Sequence, residues 1–399
     1  MIGREWREAS DMRSSLVSLG LVLLAAVLLR YWNLRDGPMA PVERGVIDPV
    51  LALIRTGSFR PPALAQPTLP IYAQAAVAIA HFVWGATLGA WRTLDRFGPA
   101  QVVVWGRGFS ALTGTISVVV VYQIGMRWGA RHALLGAGLM AVAPAQVSAS
   151  REVGAGALLT LFAALALLLT LAATERARRK AFAAAGAAAG LAAACHYAGA
   201  LTIVLPLVGA WMTRSDDSSR LSRALAAVAS GGAAFLVATP LSVLDLPAFL
   251  NGVAEAARPG GLPGASVALL RQLLWTLQWP GLILAMAGLV LGVVRTATGP
   301  GHTRWTLLVT FPLVVFGLAV WHGSAADAVV ALLLPPLVLL AAIAVISGVS
   351  QLRRFSIPRA ARTALIAALT VAAVLPPAIV SIELARQAGH EPPAGLSAP

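Results

Sequence analysis

A few side chains in this chain are of the right type, and sit in the right surroundings, to do chemistry. Glu43 falls in a turn rich in glycine and proline (Gly37, Pro38, Pro41, Gly45), has no evident structural duty, and is followed by Arg44. Arg151 and Glu152 are neighbours at the edge of an apolar run, where such a pair can equally anchor the run at a membrane surface. His196-Tyr197 stands at the junction of two apolar runs. A carboxylate can take a proton from a weak nucleophile. A basic side chain can neutralise a departing anion such as phosphate, although a histidine is cationic only below about pH 6.5 unless shifted. Asp48 reads differently: with Pro49 after it and Gly57 further on, it predicts the N-cap, first residue and glycine stop of a short helix, Pro49–Thr56. Val50, Leu51 and Ile54 give that helix an apolar face.

The elements that must position these groups follow from composition. Of 399 residues only 12% are charged, about half the usual ~25% of soluble domains, while 58% are apolar and the mean hydropathy is +0.79. So few charges cannot solvate a soluble domain, and the chain reads as an all-α polytopic membrane protein, residues 1–399 forming one integral membrane domain. A disordered chain and a disulfide scaffold are excluded too, since Cys195 is the lone cysteine. Runs of the roughly 17–25 apolar residues needed to cross the hydrocarbon number about eleven. They lie near Leu16–Leu34, Ser110–Met126, Ala133–Ser148, Ala155–Thr174, Ala181–His196, Tyr197–Met212, Leu221–Val243, Leu273–Val294, Trp305–Val320, Ala328–Val349 and Thr363–Ile382. The fifth and sixth abut and predict a tight hairpin turning near His196. Gly186 and Gly190 give the fifth a small-residue face for close packing on a neighbour.

Charge sets the orientation. With a cytoplasmic N-terminus, 18 of the 30 basic residues fall in the short inner loops, and the net charge of +14 reports topology instead of nucleic-acid binding. This requires that the further apolar stretch Leu69–Ala90 not cross. It is predicted to re-enter or lie on the surface within one large outer loop, residues 35–106. Ten of the 16 acids then face outward: Asp36, Glu43, Asp48, Asp95, Glu152, Asp245, Glu255, Asp327, Glu383 and Glu391. A centre that needs carboxylates belongs on that face.

The order of features along the chain carries a resemblance. Arg30-Tyr31-Trp32-Asn33-Leu34 ends the first span, and the Glu43 turn and its helix run to Gly57. Pro67-Thr68-Leu69-Pro70-Ile71-Tyr72, Gly106-Arg107-Gly108-Phe109-Ser110 and Arg127-Trp128-Gly129-Ala130-Arg131 come next. Ala143-Pro144, Gly190-Leu191-Ala192 with His196-Tyr197, and Thr239-Pro240 with Leu246-Pro247-Ala248-Phe249-Leu250 complete the series. It resembles the glycosyltransferase-C superfamily, in the branch of phospholipid-carrier-dependent enzymes related to protein O-mannosyltransferases and the lipid A aminoarabinose transferase, from about Leu29 to Leu384. The resemblance implies inverting transfer of a sugar from a polyprenyl-phosphate donor at the outer face of a plasma or bacterial inner membrane. It implies an acid in the first outer loop that serves as base or helps hold a divalent cation, and basic residues on the lipid phosphate.

Position by position, the chain departs from that pattern. The family's Pro-Asp-Glu reads Pro41-Val42-Glu43, and the acid of its Ser-His-x-x-x-x-Asp sequence falls on Gly156. Its Thr-Lys-Tyr reads Cys195-His196-Tyr197, and the Arg-Tyr before Leu334-Pro335-Pro336 reads Val329-Val330. Two readings follow. In one, a rewired site uses Glu43 and Glu152 as catalytic acids or bases, with His196, Tyr197, Arg44 and Arg151 on the substrate. In the other, a silent relative keeps the fold and binds the lipid carrier or a partner protein. A transporter ranks behind both, because the spans hold almost no ionisable residues near their middles. No zinc spacing, nucleotide-binding glycine loop or catalytic triad is present, and no protein metal ligands are assigned.

Overall fold

The computed structural model describes residues 2–35, 37–58, 60, 66–91, 93–213, 217–256, 262–298, 301–323, 325–351 and 358–387. Asp36 and Glu391 among the acids above, and Arg214, Arg353 and Arg354 among the inner-loop arginines, lie outside the described residues. Every described element is helical: α1 (Ile2–Tyr31), α2 (Pro41–Thr56), α3 (Leu69–Thr87), α4 (Pro99–Gly125), α5 (Ala130–Val142), α6 (Pro144–Arg151), α7 (Gly156–Arg176), α8 (Arg179–Cys195) and α9 (Val204–Met212). After these come α10 (Asp217–Ala238), α11 (Leu241–Leu244), α12 (Leu246–Ala256), α13 (Leu262–Thr298), α14 (His302–His322), α15 (Ala326–Ile343), α16 (Val349–Gln351) and α17 (Arg359–Gln387).

The chain is an integral membrane protein. Among the described residues, eight helices (α3, α4, α7, α10, α13, α14, α15 and α17) are long and apolar enough to cross a bilayer. The pair α5–α6, bent by 56°, makes nine if it is one broken span. The predicted count of eleven is not reproduced. Ser15–Tyr31 and Tyr197–Met212 are apolar but shorter. The 17-residue α8 extends only about 25 Å at 1.5 Å per residue, short of the ~30 Å of hydrocarbon. The hairpin at His196 is present: α8 ends at Cys195, His196 is extended (φ −156°, ψ 139°), and a 3-10 turn, Tyr197–Ile203, leads into α9. The glycine face of α8 lies against α10, where a Cβ on Gly186 or Gly190 would come within 2.1 Å of the Ala227 carbonyl oxygen or 2.0 Å of that of Gly231. The close packing is therefore internal.

The core is organised on α15, which is buried from Ala328 to Ile343 and surrounded by α5, α7, α13 and α14. A smaller apolar core joins α2, α3 and the start of α4 through Ile47, Val50, Ala78, Phe97 and Val102, with Val153 from the α6–α7 connection. The helix predicted at Pro49 starts eight residues earlier, at Pro41. Glu43 closes a cap by accepting from the Ala40 N–H (2.9 Å) and Pro41 occupies the first turn, so Asp48 is not the cap. Pro49 lies inside α2, and the buried stripe Val46, Ile47, Val50, Leu51 and Leu53 holds the helix through it. Gly57 ends α2 at φ +69°, as predicted.

The break between α5 and α6 is built by Pro144, which lacks the N–H that would continue the helix. The carbonyls left bare at the end of α5 find donors on distant helices, as apolar surroundings require. Arg30 of α1, fully buried, donates to Met140 O (3.4 Å) and Ala141 O (3.0 Å), and Ser381 of α17 donates to Val142 O (2.9 Å). Arg151 at the end of α6 returns the service, donating to Leu29 O (3.0 Å), Arg30 O (3.4 Å) and Trp32 O (2.8 Å) at the end of α1.

Candidate active site

A cavity of about 670 Å³ opens where α2, the α6–α7 connection, α13 and α15 meet. Val42, Gly45 and Pro49 of α2 form one wall, Gln146 and Ser148 of α6 with Glu152 and Gly156 a second, and Gln272 and Trp275 of α13 with Asp327 and Val330 of α15 a third. His196 reaches it from the α8–α9 hairpin. Val42, Gly156, His196 and Val330, far apart in sequence and each standing where the family pattern has a polar residue, line this one cavity; Val329, at the arginine position of that pattern, is buried and does not.

Of the six expected site residues, the structure brings Glu152 and His196 to the cavity wall; the other four do not line it. Glu152 accepts a hydrogen bond from Ser148 Oγ at 2.9 Å. Burial lifts its carboxyl above the ordinary carboxylate range; the Ser148 hydroxyl opposes the shift, while Glu43 and Asp327 add to it. His196 is held by the backbone: its Nδ1 accepts from the Ala198 N–H at 3.2 Å, which leaves the proton of the neutral ring on Nε2. Burial lowers its pKa, so the ring is neutral near pH 7.

Glu43 has the structural duty that the sequence did not reveal. It is completely buried and bonded through both oxygens. Arg107 of α4 donates from Nε to Oε1 (2.8 Å) and from Nη2 to Oε2 (2.7 Å), and the Val153 N–H donates to Oε1 (3.0 Å). With Ala40 N–H these fill its acceptor sites. Arg107 also donates to Leu34 O and Pro38 O (3.3 and 3.0 Å), so the pair ties α2, α4, the α1–α2 connection and the cavity-lining α6–α7 connection together. Arg44 is exposed on α2. Arg151 is committed to the α1 carbonyls, and Tyr197 packs edge-on against Phe249 with ring centres 6.2 Å apart.

Sequence reasoning assigned no role to Asp327, Gln146 or Gln272. Asp327 accepts from Gln272 Nε2 at 2.8 Å, joining α15 to α13 across the cavity. The signal that points to it is position: Asp327 is among the outward acids, three residues ahead of Val330. Among the described residues no arginine or lysine lines the cavity, and no group of three or more His, Cys, Asp or Glu is arranged to hold a metal ion. The wall is thus a carboxylate and amide surface with a neutral imidazole, suited to accepting protons and to bonding hydroxyl groups.

The helix arrangement is one shared with solved oligosaccharyltransferase and ArnT structures, the fold that the glycosyltransferase-C resemblance implied. The family model for dolichyl-phosphate-mannose-protein mannosyltransferase matches residues 100–243. The chain superposes on the oligosaccharyltransferase of Archaeoglobus fulgidus in its apo form with a TM-score of 0.61 at 15% identity, over 94% of this chain and 56% of that one. It superposes on ArnT from Cupriavidus metallidurans bound to undecaprenyl phosphate with a TM-score of 0.59 at 18% identity, over 94% of this chain and 74% of that one. The chain therefore spans little more than half the length of the archaeal enzyme. No curated protein matches it.

Proposed function

We propose that this protein transfers a sugar from a polyprenyl-phosphate donor to an acceptor hydroxyl in the cavity beside α2, with Glu152 as the base. The observation that carries the reading is Glu152 itself: a carboxylate on the cavity wall, oriented by Ser148, whose affinity for a proton is raised by burial. A base whose pKa lies closer to the working pH is the better proton acceptor. The acceptor oxygen attacks the anomeric carbon, its proton passes to Glu152, and the bond to phosphate breaks with its electron pair leaving on the lipid phosphate. Gln146, Gln272 and Asp327 offer amide and carboxylate partners to sugar hydroxyls. His196 offers a neutral Nε2–H to a phosphate oxygen. Glu43 and Arg107 position the wall without touching the reacting groups. The distribution of arginines supports an orientation with the N-terminus in the cytoplasm and residues 35–106 on the outer face of one membrane domain, with α3 re-entering or lying on the surface although it is long and apolar enough to cross.

A second reading has its own support. No arginine or lysine among the described residues lines the cavity to meet the charge of a leaving phosphate, which favours a relative that binds the lipid carrier without turnover. One experiment separates the two: sugar release from polyprenyl-phosphate donors by purified wild type and Glu152→Gln, with and without divalent cation. Turnover that vanishes in the variant supports transfer with Glu152 as base. Turnover that survives rejects Glu152. Donor binding without release in wild type establishes the second reading.

A further inference from the structure

A second groove, of about 690 Å³, shares no residue with the cavity. It is an open trough between the end of α1, α3 and α4. Tyr31, Leu34, Val77, Ala80, Trp105, Phe109 and their neighbours make its wall apolar, and Arg35 is its one charged residue. The groove is built. Tyr31 Oη donates to Gly108 O at 3.0 Å and fastens α1 to α4 at its edge. Asn33, at φ +50°, turns the chain sharply out of α1 and carries Arg35 to the rim. Arg107 holds that turn from both sides through Leu34 O and Pro38 O.

The arginines nearby already have structural work. Arg30 and Arg151 donate to helix-end carbonyls, and Arg107 is paired with Glu43. Arg35 is exposed, and no described side chain makes an ion pair with it. The surface around it is apolar and open, as a lipid-facing surface is: Leu28, Leu112 and Trp84 are 49–60% exposed. Tyr31, Trp32 and Trp105 are partly exposed aromatic rings of the kind that settle at headgroup level. An apolar trough leading to one exposed cation matches a lipid with an anionic headgroup, the acyl chain in the trough and the phosphate on Arg35.

We infer that this groove is a binding site for an anionic phospholipid of the leaflet at the C-terminal end of α1. The test is native mass spectrometry of the full-length protein carrying phosphatidylglycerol or phosphatidylcholine. The expected result is selective retention of one phosphatidylglycerol by wild type. Retention falls roughly fivefold in Arg35→Gln, the effect of losing one interfacial basic residue, and recovers in Arg35→Lys. Gly108→Phe also loses the lipid by filling the trough; a Cβ at Gly108 meets nothing within 4 Å, so the position is open to a side chain. Arg359→Gln, at the start of α17 and away from the groove, retains it. Equal retention of the two lipids, unchanged retention in Arg35→Gln or Gly108→Phe, or displacement of phosphatidylglycerol by equimolar undecaprenyl phosphate overturns the proposal.

Discussion

Glu43→Gln separates a positioning carboxylate from a catalytic one. The substitution keeps the shape of the side chain and removes its charge. One amide oxygen can still accept from Arg107 Nε and the Val153 N–H, which meet Oε1 at 2.8 and 3.0 Å. The amide nitrogen then stands where Oε2 accepted from Arg107 Nη2 (2.7 Å) and the Ala40 N–H (2.9 Å), so two donors face a donor. At about 1.5–3 kcal/mol for each hydrogen bond to a charged group, two lost bonds cost about 3–6 kcal/mol. Breaking a buried pair from one side typically costs about 3–5 kcal/mol, because the remaining ion is left uncompensated. The expected loss is therefore about 4 kcal/mol of stability, read by reversible unfolding in detergent. Arg107→Met should lose a similar amount. The double variant should lose clearly less than the two singles together, since neither charge is then stranded. A Glu43→Gln protein as stable as wild type but inactive would refute the reasoning and return Glu43 to the chemistry.

Four further outcomes are expected. Because burial raises the Glu152 pKa, the base form is lost as pH falls at a higher pH than for an ordinary glutamate near 4.3; the acid limb of the pH–rate profile should lie above that value and disappear with activity in Glu152→Gln. The same shift makes the fold's contribution from this group fully present below the unfolded pKa and lost as pH rises through the folded one, so unfolding of Glu152→Gln should be less pH-sensitive on that side. Gly190→Ala drives a methyl group into the Gly231 backbone and should cost about 1–3 kcal/mol in unfolding experiments, whereas Gly45→Ala, with nothing within 4 Å, should be within about 0.5 kcal/mol of wild type. Val42 is 53% exposed on the cavity wall, so Val42→Asp should also fold within about 0.5 kcal/mol of wild type; a large loss of stability would show that the wall is tighter than described.

The fold class was legible because the bilayer forces long apolar runs and because small residues announce close helix contacts, as at Gly186 and Gly190. The cavity was legible in outline, since the substituted positions Val42, Gly156, His196 and Val330 converge there. Assignment among the charged residues was not. Nothing local to Glu43 points to Arg107, 64 residues later, and nothing local to Arg151 points to the carbonyls of α1 more than 100 residues earlier. The start of α2 was misread for a related reason. Asp48-Pro49 carries a strong local start signal, but the cap formed by Glu43 and the burial of Val46 and Ile47 outweigh it.

The exchange of arginines between α1 and the broken pair α5–α6 bears on biogenesis. Arg30 and its carbonyl acceptor on Met140 are 110 residues apart. At roughly 5–20 residues per second of synthesis, the first helix must wait roughly 5–20 seconds for the segment that satisfies its arginine. Until then its guanidinium has only the Ala26 carbonyl of its own helix as a partner. The first helix is thus a provisional membrane segment, one that the insertion machinery must shelter or that must stay near the bilayer surface. Its final depth is settled only when the fifth helix leaves the ribosome. A truncated chain ending before Ala130 should therefore be a preferred substrate of membrane quality control.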